Sequence, residues 1–147
     1  MRKNLIILMA SGFGIGYVPK GSGTLGTVLG LLLAALFPDN LYLVIGISLF
    51  GVWIAHEAEK IFDEHDSPKI VIDEIAGFLI AAYNWHGFYL IIAFILFRIL
   101  DIFKPDPIRQ LQKLPGGMGV MVDDLAAGLL SNLAMRLALY MFRGVLG

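Results

Sequence analysis

The chain has 147 residues, of which 58% are hydrophobic, 16% are charged and none is cysteine, and its formal net charge is −1 at pH 7. That balance leaves no basic footprint for nucleic acid, and the lack of cysteine excludes disulfides, thiolate metal sites and thiol nucleophiles. An apolar content above the roughly 45–50% of ordinary soluble domains, with a mean hydropathy of +0.79, points to a membrane-associated single domain over residues 1–147.

In chain order, Arg2 and Lys3 precede the apolar run 5–10, as in a signal peptide. The run is at the short end for one and is followed by a glycine-rich segment that looks functional, so its retention is expected. Gly12, Gly14 and Gly16 lead through Pro19 and Lys20 to Gly21, Gly23 and Thr24, immediately before a helix predicted over 24–37. Free backbone N–H groups at that positive helix end suit an anion. The order is not that of a Walker loop, and no strand precedes it as a dinucleotide site requires. The same glycines also serve tight turns and close packing, with Gly26 and Gly30 spaced for helix contact, and both readings stand.

Further helices are predicted over 41–62, 71–83, 88–104 and 123–143, which makes the fold all-α, a compact apolar bundle of about five to six helices. Residues 38–40 and 84–87 are short turns, whereas 11–23, 63–70 and 105–122 are longer connections. If the helices alternate in direction, the long connections share one face. Of the 12 acidic residues only Asp39 falls on the short-turn face, and of the 11 lysines and arginines only Arg136 and Arg143 lie away from the long-connection face. The positive-inside tendency makes that charged face cytoplasmic. A 14-residue helix spans only about 21 Å of a hydrocarbon layer of about 30 Å, so some segments are expected to be re-entrant or interfacial. Segments 41–55 and 88–103 are the best spanning candidates and 71–83 the weakest. Arg136 requires a partner or an exit to the interface, or else the last helix packs within the bundle.

Two acidic pairs stand out. Asp73–Glu74 and Asp123–Asp124 each follow an apolar run, and Gly77 and Gly128 come four residues after Asp73 and Asp124. Carboxylates in such company are costly without a cation between them. Asp101 adds a third carboxylate, with Arg98 three residues before it and Lys104, Pro105 and Arg109 after it. Arg98 and Asp101 share a helix face, and Pro105 turns the chain out so that Lys104 and Arg109 can converge on one ligand. A plain Arg–Asp ion pair explains the segment equally well in isolation. Together, carboxylates and fixed cations suggest a divalent metal and a phosphate. His56 and His65 are weaker acid or base candidates, with His65 favoured by its neighbour Asp66, while Glu57 and Glu59 are expected on a solvated helix face.

The motifs Gly12-Phe13-Gly14 with Gly16, Pro19 and Gly23-Thr24-x-Gly26; His65-Asp66 with Ile70-Val71-x-Asp73-Glu74; Phe97-Arg98-x-x-Asp101-x-x-Lys104-Pro105-x-Pro107-Ile108-Arg109; and Gly116-Gly117-x-Gly119-Val120-Met121-x-Asp123-Asp124-x-x-Ala127-Gly128 resemble the four successive motifs of the phosphatidylglycerophosphatase A family. The resemblance covers nearly the whole chain in order. Ser22 stands where the family pattern has proline, and Ile72 where an aromatic is frequent. The resemblance implies a magnesium-dependent phosphatase that removes the terminal phosphate of phosphatidylglycerophosphate, in the bacterial cytoplasmic (inner) membrane.

Phosphomonoester hydrolysis needs neutralised phosphoryl oxygens, an aligned nucleophile and a stabilised leaving group. Asp73, Glu74, Asp101, Asp123 and Asp124 are the candidate Mg²⁺ ligands, more than one ion normally takes directly. Arg98, Lys104 and Arg109 are the candidate phosphate clamp, with Gly14, Lys20 and Thr24 of the glycine loop closing over the substrate. Asp73, Asp123, Asp124 and Lys104 are the candidate catalytic groups, with activated water preferred over direct attack by Asp73 or Asp123. The alternative is a noncatalytic membrane cation-binding protein or transporter. Membrane lipid is the expected surrounding, and a homo-oligomer is compatible with the chain.

Overall fold

A computed structural model describes residues 2–146, with side-chain surroundings for 2–143, so residues 1 and 147 of the expected domain lie outside it. The described residues form seven α-helices and no strand: α1 (Arg2–Ala10), α2 (Ser22–Leu36), α3 (Leu41–Phe62), α4 (Ile72–Ala82), α5 (Tyr89–Phe103), α6 (Ile108–Leu111) and α7 (Gly117–Leu146), with one 3₁₀ turn at Ile15–Tyr17. Helices α2 to α5 lie within two residues of their expected bounds. α7 begins six residues before its expected start, and α1 and α6 are additional.

Local chemistry sets several ends. Asn40 caps α3, its side chain accepting a hydrogen bond from the Leu43 N–H at 2.9 Å, which satisfies one of the orphan donors of a helix start. Asp63 and Lys104 end α3 and α5 in the left-handed region, at φ 53° and 40°. The early start of α7 is a packing effect. Glycine is a poor helix former, yet Gly117 lies against the α3 backbone at Val52 and His56, where a Cβ would collide.

The bundle is organised around α4, in which only Glu74 and Ile80 escape full burial. Helices α2, α3, α5 and α7 all pack against it, while α2 and α3 make little contact with each other. The apolar slot thus left between them has a volume of about 270 Å³ and is lined by residues such as Phe13, Leu29, Ile47 and Ile75. One core cluster joins Ile6, Ile54, Ala58, Ile72 and Met121. A second joins Phe78, Ala93, Phe97, Ala127 and Met135, with Phe78 and Phe97 edge to face at 6.0 Å. Glycines let the backbones approach: Gly26 and Gly30 of α2 sit against Val71 and Phe78, and Gly77 of α4 meets Gly128 of α7. Such contacts, not hydrophobic transfer, hold helices together in lipid.

Among the described residues, α3 and α7 are the two helices long and apolar enough to cross a membrane. At 1.5 Å per residue they reach about 33 and 45 Å, whereas α5, one of the two segments favoured from sequence, reaches only about 22 Å. The outer faces of the two long helices remain apolar and exposed, as at Leu49, Trp53, Leu137 and Met141. Arg136 finds its exit at the short-turn end. Its Nε donates to Asn132 Oδ1 at 2.6 Å, and its guanidinium lies over the Trp85 ring at 5.7 Å. Asn132 in turn donates to the carbonyls of Ile80, Ala81 and Tyr83, so polar groups of α7 cap the end of α4. Asp39 pairs there with His86 at 3.0 Å, linking the two short turns.

Candidate active site

The charged residues of the opposite end come from helix termini. Asp73 and Glu74 occupy the first turn of α4, where the helix dipole favours negative charge. Asp101 lies in the last turn of α5 and Lys104 is its cap, while Asp123 and Asp124 lie in the second and third turns of α7. Contact between Gly77 and Gly128 draws α4 and α7 together one turn beyond the acidic pairs. As a result, one carboxylate oxygen from each of Asp73, Glu74 and Asp124 lies within 4.8 Å of the other two.

These carboxylates are unsatisfied. Asp73 is 6% exposed and Asp124 2%, and Asp73 Oδ1, Glu74 Oε2, Asp123 Oδ1 and Asp124 Oδ2 are buried without a hydrogen-bond partner. A buried unpaired acceptor costs about 1–3 kcal/mol, more when charged. Burial, then the charges of Glu74 and Asp124, push the Asp73 carboxyl well above its usual range. Burial likewise raises Glu74, against the lowering effect of its contact with Asp73. Three mutually repelling hard oxygen donors with open valences fit a small divalent cation such as Mg²⁺.

The other two acids are already paired. Lys104 Nζ donates to Asp123 Oδ2 at 2.5 Å and lies 3.9 Å from Asp124 Oδ1. Burial opposes its charge, but the Asp123 hydrogen bond and the Asp124 charge outweigh burial and hold the ammonium above its ordinary range. Arg98 Nη1 donates to Asp101 Oδ2 and, at 3.4 Å, to Thr27 Oγ1, while its Nε is buried without a partner. The expected set of five carboxylates therefore divides into an open trio and two members each held by a cation.

α2 closes the arrangement at Gly23, where a Cβ would collide with the Glu74 carboxylate and come within 3.3 Å of Arg98 Nη1. The glycine loop before it acts mainly through packing. Its amides are used internally: the N–H of Gly14 donates to Ser11 Oγ at 3.1 Å, and those of Gly16 and Val18 donate to Ser11 and Ile15 carbonyls. Gly16 abuts the Lys69 backbone, and Ser22 Oγ donates to the Pro68 carbonyl at 3.0 Å. What α2 offers an anion is the unpaired N–H groups of its own first turn. Gly14, Lys20 and Thr24 are exposed at this end, and Arg109 is exposed on α6 and forms no ion pair among the described residues.

Three side chains near the site were given no role from the sequence. Thr27 binds Arg98. Glu59 is 9% exposed rather than solvated, its Oε1 accepting from His65 Nδ1 at 2.5 Å and from the Asp66 N–H at 3.1 Å. Gln112 donates through Nε2 to Asp66 Oδ2, and its backbone carbonyl faces His65 Nε2 at 3.4 Å. Glu59 lies four residues after Ala55 beside the buried stripe Gly51, Ile54, Ala55 and Ala58, a signal that could have marked it as buried. Glu57 does lie at the surface, paired with Lys60 at 2.8 Å, and His56 is exposed beside Gly116.

A family model described as phosphatidylglycerophosphatase A matches residues 8–139. A phosphatidylglycerophosphatase A of Escherichia coli is 37% identical over 136 residues, covering 84% of this chain and 77% of that protein. One from Haemophilus influenzae is 35% identical, covering 86% and 83%. A Bacteroides thetaiotaomicron protein provisionally named a phosphatidylinositol-3-phosphatase is 34% identical, covering 91% and 93%. No solved structure matches the chain at a significant level.

Proposed function

The chain belongs to the phosphatidylglycerophosphatase A family, and from that premise we propose that it is a phosphoric monoester hydrolase converting phosphatidylglycerophosphate to phosphatidylglycerol. The observation that carries this reading is the open trio of Asp73, Glu74 and Asp124 bordered by Lys104–Asp123 and Arg98–Asp101. Mg²⁺ held by the trio would supply the positive charge that offsets negative charge developing on the phosphoryl oxygens.

The protein groups divide the remaining work. Lys104 and Arg98 clamp the phosphate while still held by their carboxylates, so little reorganisation accompanies binding. Asp123 Oδ1, the open oxygen of a carboxylate whose other oxygen is fixed by Lys104, accepts the proton of an attacking water. The new P–O bond forms as the bond to the glycerol oxygen breaks, and that oxygen leaves as the alcohol of the lipid with a proton from solvent, to which Asp123 then returns the one it took. The placement of these groups at helix ends supports a surface reaction over conduction through the bundle, where binding groups would lie at mid-depth. The segregation of charge at one end supports a site facing the cytoplasm from the inner membrane.

A phosphate-release assay tests this reading with purified protein, Mg²⁺ and vesicles containing either phosphatidylglycerophosphate or phosphatidylinositol 3-phosphate. Release from the former at the higher kcat/KM is expected. Preference for the inositol lipid, the substrate class named for the Bacteroides relative, would replace the headgroup assignment, and release from neither would reject the function.

A further inference from the structure

The segment between α3 and α4 carries His65 and Asp66, and it is held from two sides. Asp66 adopts a left-handed backbone at φ 52°, a conformation that persists when its surroundings fix it. On the α3 side, the buried Glu59 carboxylate binds the Asp66 N–H and the His65 ring through one oxygen, Oε1. On the other side Gln112, from the α6–α7 connection, donates through its side chain to the Asp66 carboxylate and offers its backbone carbonyl to His65. Asp66 precedes Asp73, the first acid of the trio, by seven residues along the same segment. Glu59 and Gln112 thus enclose a loop that runs through Ile70 and Val71 directly into the open carboxylate trio.

We propose that Glu59 and Gln112 are positioning residues that act through Asp66, fixing the loop and setting its approach to Asp73. This rests on the phosphatase reading above. Neither residue contacts the open carboxylate oxygens, so their effect passes through the loop. The part of Glu59 in holding the loop is that of a double hydrogen-bond acceptor, and a glutamine oxygen can accept the same two.

The test measures phosphate release together with amide hydrogen exchange over residues 63–70, in wild type, Gln112→Ala, Glu59→Gln, Glu59→Leu, Asp66→Ala and the Gln112→Ala/Asp66→Ala double variant. Misplacement of a site group by about 1 Å can cost on the order of a hundredfold in rate. Gln112→Ala and Glu59→Leu should therefore lose about ten- to a hundredfold in kcat with KM nearly unchanged, and exchange in the loop should quicken in both. Glu59→Gln should stay close to wild type in rate and exchange. In the Asp66→Ala background, which lacks the acceptor for Gln112, removing Gln112 should cost nothing more, since residues acting as a unit are not additive. Independent, multiplying losses, unchanged exchange in Gln112→Ala, or a Glu59→Gln variant as impaired as Glu59→Leu would overturn the proposal. If wild type releases no phosphate from any lipid, the function fails and the exchange pattern alone decides whether the clasp holds.

Discussion

Gly77 and Gly128 meet backbone to backbone where α4 crosses α7: a Cβ on Gly77 would lie 2.6 Å from the Asp124 carbonyl oxygen, and one on Gly128 would strike the Gly77 carbonyl. Asp73 and Asp124 each precede their glycine by one helical turn. The crossing therefore fixes the separation of the two carboxylates, and the geometry of the trio follows from helix packing.

Gly77→Ala should consequently damage the site through its spacing. Overpacking costs about 1–3 kcal/mol, and the variant is expected to lose most hydrolysis and bind Mg²⁺ more weakly while remaining helical. Circular dichroism and Mg²⁺ titration in detergent would check this, and wild-type affinity in a folded variant would contradict the link between crossing and metal site.

The division between open and paired carboxylates separates two substitutions. Asp124→Asn removes a hard ligand from the trio and should raise the Mg²⁺ concentration for half-maximal activity by about tenfold or more. Lys104→Met removes a clamp that acts mainly in the transition state, so kcat should fall with little change in Mg²⁺ dependence. Matching Mg²⁺ curves for the two variants would refute the assignment of roles.

Raised carboxyl groups make the metal-free protein sensitive to pH. Asp73 and Glu74 retain their protons in the folded state above the pH at which the unfolded chain releases them. Between the ordinary carboxylate value and the raised folded values, folded protein binds more protons, and stability falls as pH rises. Chelated protein should therefore melt at a higher temperature at pH 5 than at pH 7.5, and Mg²⁺ should remove that trend while restoring activity. An opposite slope in chelator would rule out the unpaired trio as its source.

Orientation can be read from single cysteines, since the natural chain has none. Cysteine at the exposed Lys113 should label only after the inner membrane is permeabilised, and cysteine at the exposed Asn84 should label in cells whose outer barrier alone is open. The reverse pattern would invert the proposed topology.

The helices written in long apolar runs were legible from sequence, α3 to the residue. The start of α7 was not, because its reason lies in α3: Gly117 is helical where it fits against Val52 and His56. The acidic pairs and basic residues were likewise visible as types. Which acid would be neutralised by Lys104 or Arg98 and which left open depends on how three helix ends meet, and no spacing along the chain encodes that. Glu59 carried a readable sign of burial. Gln112 carried none, since its partner lies 46 residues away in Asp66.

The carboxylates lie close to helix ends, with Asp123 only six residues, about 9 Å, inside α7. A headgroup can reach them while its acyl chains remain in the hydrocarbon, so encounter takes place in two dimensions. Turnover should then follow the mole fraction of substrate within the bilayer: diluting it with inert phospholipid slows the enzyme, whereas adding more vesicles of the same composition to saturated protein does not quicken it.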